Sequence, residues 1–119
     1  IGTHQPKQLA AFYEKVFGWH INKTEMAGVD YHIVHTVEVD KNYIPTKKGC
    51  INGGMMKMDK HVTNPVMVVK VKDIKKAVKE INAKGGKGLT EIVPVGKMGL
   101  YARFKDTEGN LLGLWQDVK

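Results

Sequence analysis

The chain has 119 residues, 42% of them apolar, the size and make-up of one globular domain with a two-layer core. No apolar run approaches the roughly 18 residues of a membrane helix, and the single cysteine, Cys50, excludes a disulfide framework within the chain and favours a reducing, cytoplasmic setting. The net charge of +7 comes from eighteen lysines and one arginine, Arg103, spread without a basic block longer than two, so a solvated lysine surface is expected, with neither nucleic acid nor membrane as partner.

Residues 1–11 show no apolar signal-peptide core. The chain opens on Ile rather than Met, and its first strand is expected to be truncated. In PKQLAAFYEKVFGW, Leu9, Phe12, Tyr13 and Val16 stand at i, i+3, i+4 and i+7, the stripe of an amphipathic helix. Pro6 suits the first helical turn and Gly18 the stop, which predicts a helix over 6–17. Strands follow at 19–26 and 31–39. His32 and His35 share the second of these at odd spacing, so they face opposite sides and do not form one metal pair. Each reads as a structural histidine, with a general-base role the alternative. CINGGMMKM (50–58) is a short apolar stretch holding two glycines. Cys50 reads there as a small buried apolar residue rather than a nucleophile.

KHVTNP (60–65) is a short link, with His61 solvated. A Val-rich strand (65–72) leads into VKDIKKAVKEINAKGGKG, where Ile74, Ala77, Val78 and Ile81 repeat the helical spacing. Asp73 suits the N-cap and Gly85-Gly86 the stop, which predicts a helix over 74–84. Strands are expected at 89–95, 99–105 and 110–116. Pro94 belongs at an edge or a bulge.

The order is strand remnant, helix, three strands, then strand, helix, three strands. The helices superpose at an offset of 65, Leu9 on Ile74, and the last strands at an offset of 60, Gly53 on Gly113. The expected fold is therefore α+β: two tandem βαβββ modules, 1–58 and 65–119, within one domain, their sheets forming a common cup. Both helices are expected to cover the sheets through Leu9, Phe12, Val16, Ile74, Val78 and Ile81.

FYEKVFGW (12–19), VKDIKKAVKEINAKGGK (71–87) and FKDTEGNLLGLWQ (104–116) together resemble the glyoxalase / bleomycin resistance protein / extradiol dioxygenase superfamily across the whole chain. The last segment is similar to that family's closing hairpin. The resemblance implies paired βαβββ modules and, in metal-dependent members, a divalent ion held by His, Gln or Glu from the first and last strands of each module. Carried over, three of those places fall on Gly53, Val66 and Gly113, and the fourth ahead of Ile1. No side chain at the three can coordinate, so no metal cofactor is expected.

Gly113 is then expected to face the cup, leaving room for a ligand or for Met55. Strand alternation brings Leu111, Trp115, Tyr101, Arg103 and Lys105 to the same side. Arg103 suits a carboxylate or phosphate there, or else a rim ion pair. The candidate ligand-binding set is Tyr101, Arg103, Gly113, Trp115, Met55 and Gly53. Three functions are in play: a metal-free protein binding a small aromatic or anionic molecule, which is favoured; a lyase or dioxygenase of the same superfamily; or an interaction module with a closed cup. A homodimer is expected, because the superfamily commonly completes its cups across two chains.

Overall fold

A computed structural model of the chain describes residues 1–26, 29–60 and 63–118. His61, read from the sequence as a solvated link residue, lies outside the described residues. The fold is α+β and divides into two compact units, Ile1–Pro65 and Val66–Lys119. No described helix is long and apolar enough to cross a membrane.

Unit 1 runs β1 (Gly2–Thr3), α1 (Pro6–Phe17), β2 (His20–Met26), β3 (Val29–His35) and β4 (Gly53–Lys57). Pro6 opens α1 with a missing N–H where none is needed. Gly18 closes it in the left-handed conformation (φ 69°), its N–H donating to the Glu14 carbonyl. The sheet order is β1-β4-β3-β2, with β1 parallel to β4 and the other pairs antiparallel. Met55 (0% exposed), Val34 and His32 (7%) alternate with half-buried residues on β4 and β3, so one face of this sheet is core.

The helix turns a different stripe to that core than expected. Pro6, Leu9, Ala10 and Tyr13 are half-buried, whereas Phe12 is 53% and Val16 55% exposed. The Gly18 turn brings Trp19 back against the helix, where its ring stacks on Tyr13 at 4.8 Å and lies 5.3 Å from Phe17. That stacking turns Tyr13 inward and leaves Phe12 on the flank, edge-on to Tyr13.

Unit 2 repeats the plan: β5 (Met67–Lys70), α2 (Ile74–Ala83), β6 (Lys87–Gly88), β7 (Val93–Val95), β8 (Gly99–Lys105) and β9 (Leu111–Asp117). Asp73 caps α2, accepting the Lys76 N–H at 3.0 Å, and Gln116 Oε1 accepts the Ile74 N–H at 2.8 Å. The sheet order is β5-β9-β8-β6, again with the first pair parallel, and β7 also lies on β8. The expected strand at 89–95 is broken. β6 and β7 are two pieces of one edge strand whose register slips by two residues between them, from Gly88↔Phe104 to Val93↔Tyr101. Pro94 sits in the second piece, opposite Leu100, where a missing donor is tolerated. Ile74, Ala102 and Leu114 form the core under α2, packed by Val78, Ile81 and Phe104 among others. The β8–β9 turn is tied by Asp106, which accepts from the Glu108 and Asn110 N–H groups and the Asn110 side chain. The bond from the Asn110 side chain does most to hold the Asp106 carboxyl below its ordinary range.

Candidate functional site

In unit 2, residues 100, 102 and 104 of β8 point to the helix-covered core, which leaves Tyr101 and Arg103 on the opposite face. Tyr101 pairs with Trp115 and Arg103 with Gly113, so these four share that face. A Cβ at Gly113 would lie 2.8 Å from the Tyr101 hydroxyl and 2.9 Å from its ring. The glycine is there because the tyrosine leans diagonally across it, a reach aromatic side chains have between neighbouring strands. A second pair of the same kind stands beside it: a Cβ at Gly99 would overlap the Trp115 ring and the Gln116 carbonyl oxygen.

Both rings are thus let down close to the backbone. Trp115 is further held by its indole N–H, which donates to Asp117 Oδ1 at 2.8 Å, and Asp117 is ion-paired with Lys70 on β5. The Lys70 ammonium, followed by the Trp115 indole, keeps the Asp117 carboxyl below its ordinary range. The Arg103 guanidinium stands 6.0 Å from the Tyr101 ring centre, the outer limit of a cation–π contact. The face therefore combines two half-buried aromatic rings, the Arg103 guanidinium and the Lys70–Asp117 ion pair. An arrangement of this kind can stack a flat organic body and fork an anionic group.

Unit 1 carries the same device one residue away from the expected place. His32 pairs with Met55 and Ile33 with Gly54 in unit 1, as Ala102 pairs with Leu114 and Arg103 with Gly113 in unit 2. Gly54, not Gly53, is the counterpart of Gly113, and a Cβ there would overlap the Tyr31 ring. The expected offset of 60 is corrected to 59 in these last strands. The correction moves Met55 and Gly53 to the other face. Met55 is buried within unit 1, and Tyr101 fills the space over Gly113 in unit 2. Gly99, Lys70 and Asp117 were missed. The available signal was a tyrosine or tryptophan on a strand whose neighbour carries a glycine.

His32 is buried on the core face, and its Nδ1 has no hydrogen-bond partner among the described residues. His35 lies on the other face and stacks on Tyr43 at 6.4 Å. Strand β3 stops at His35, and Cys50 sits half-buried in the loop that follows rather than in a strand.

The described residues at these places do not fit a divalent metal. Gly54 and Gly113 have no side chain. Val66 precedes β5, and the β5 residue paired with Gly113 is Val68, another aliphatic. Among the described residues no group of three His, Cys, Asp or Glu side chains could hold a metal ion.

The family model for the glyoxalase/bleomycin resistance protein/dioxygenase superfamily matches residues 1–114. Among solved structures the chain is similar to an uncharacterised protein from Methanosarcina mazei, at 11% identity and TM-score 0.55, covering 98% of this chain and 86% of that one. It is also similar to a glyoxalase family protein from Bacillus cereus, at 15% identity and TM-score 0.44, over 100% and 91% of the two chains. A third is TnmS3, an antibiotic binding protein from a Streptomyces species, at 18% identity and TM-score 0.36, over 98% and 90%. The comparison with curated proteins gives no match.

Proposed function

The chain belongs to the glyoxalase/bleomycin resistance protein/dioxygenase superfamily, and from that premise we propose that it is a metal-free member that binds a small planar organic anion. One observation carries this reading: Tyr101 and Trp115 lie over Gly113 and Gly99 beside Arg103, on the sheet face that α2 leaves uncovered. A flat ligand stacks on the rings while its carboxylate or phosphonate meets the guanidinium. Lyase or dioxygenase chemistry of the metal-dependent kind would need donors where Gly54, Val66 and Gly113 have none. The test is a panel of aromatic carboxylates and phosphonates titrated against the protein in the presence of a chelator, followed by amide chemical shifts. Shifts gathered on β8 and β9, weakened about tenfold by Arg103→Gln, support the reading. Binding only after metal addition, or shifts elsewhere, would reject it.

We propose further that residues 1–119 act as one domain and pair as a homodimer. β5 has β9 as its sheet partner, and Met67, Val68 and Val69 on it are all exposed. Such an apolar edge is normally covered. Light scattering at micromolar concentration should give twice the chain mass of 13.3 kDa; the mass of a single chain would reject the dimer.

A further inference from the structure

Unit 2 carries a concave surface on its helix side. The flank of α2 and the connection before β7 enclose an open groove of about 520 Å³, lined by Lys75, Lys76, Val78, Lys79, Asn82 and Ile92. Val78 and Ile92 are half-buried and form its floor, while the three lysines and Asn82 are exposed along its rim. Asn82 is fixed there, its Oδ1 accepting the Gly88 N–H at 2.9 Å.

The groove is lined by three lysines and by no acidic residue. Residues 71–87 hold six lysines against two acids, Asp73 and Glu80. None of Lys75, Lys76 and Lys79 joins an ion pair among the described residues. Lys75 and Lys76 also stand in the first turn of α2, which holds no acidic residue. The helix dipole is positive there and disfavours cations. These two ammonium groups reduce the stability of the free helix, and a bound anion would reverse that effect.

The occupant that complements such a surface carries carboxylates and apolar side chains together. Duplex or single-stranded nucleic acid fits less well, because the groove offers neither arginine forks nor aromatic stacking platforms. An anionic bilayer fits less well too, because Val78 and Ile92 are recessed behind the lysines rather than projecting to insert. We propose that the groove docks an acidic segment of a partner protein, its carboxylates on Lys75, Lys76 and Lys79 and its apolar side chains on Val78 and Ile92.

The probe is a short fluorescein-labelled peptide built on a Glu-Glu-Leu repeat, titrated against the full chain by anisotropy. The triple variant Lys75→Gln/Lys76→Gln/Lys79→Gln should bind roughly tenfold more weakly at low salt. A variant of equal charge loss in unit 1, Lys41→Gln/Lys47→Gln/Lys48→Gln, should bind as the parent does. Methyl resonances of Val78 and Ile92 should shift as peptide is added, which separates docking from diffuse attraction. No binding, an equal loss in both variants, or unmoved Val78 and Ile92 methyls would overturn the proposal. Tighter, Lys75-dependent binding of duplex DNA or of phosphatidylserine vesicles would overturn the choice of occupant.

Discussion

At Gly113 the backbone is ordinary and the constraint comes from above, since Tyr101 occupies the place of a side chain. Gly113→Ala should therefore cost about 1–3 kcal/mol through overpacking. In a Tyr101→Leu background the same change should be neutral or stabilising, because alanine suits a strand better than glycine. Equal costs in both backgrounds, measured by denaturant unfolding, would place the strain elsewhere. Met55 makes the converse case. Fully buried, it should cost about 2–5 kcal/mol when changed to alanine, and a cost below about 0.5 kcal/mol, the range of surface changes, would return it to the face of Gly54 and Tyr31. The glycine was legible as a close approach, but its neighbour was not, because ring reach runs across strands rather than along the chain. Register in β4 was hidden for a related reason: Gly53 and Gly54 are adjacent and identical, and only pairing to β3 separates them.

Elements were legible where local chemistry fixes them. Pro6 and Gly18 bound α1, and Asp73 caps α2, at the expected places. Helix facing was less so, because Trp19 lies outside α1 yet decides, by stacking on Tyr13, that Phe12 and Val16 turn outward. The break in the edge strand between Gly88 and Val93 likewise depends on register with β8. Between β5 and β9 the link is Lys70 to Asp117 to Trp115. The Asp117 carboxyl is depressed, so its contribution is present above the ordinary aspartate value of about 3.9. It is lost as pH falls through the lower folded value. With Trp19→Phe leaving one indole, Trp115 emission should change on acidification below about pH 4. Lys70→Gln should move that midpoint upward. A midpoint unaffected by Lys70→Gln would show that the ion pair does not hold the ring.

For the whole molecule, the tandem repeat was readable because each module needs the same apolar pattern to place a helix on a sheet. Both units carry the same strand order and the same parallel opening pair. The chemistry of the site was only partly readable. Glycine and valine at the family's metal places speak directly, whereas the flat aromatic face is an outcome of packing. We propose that Tyr101, Arg103 and Trp115 hold a planar anion without a metal. The most direct test follows Trp115 fluorescence in the Trp19→Phe protein while an aromatic carboxylate is added, once with chelator and once with zinc. The same saturable quenching is expected in both, weakened about tenfold by Arg103→Gln. Quenching that appears only with zinc, or that Arg103→Gln leaves unchanged, would contradict the proposal.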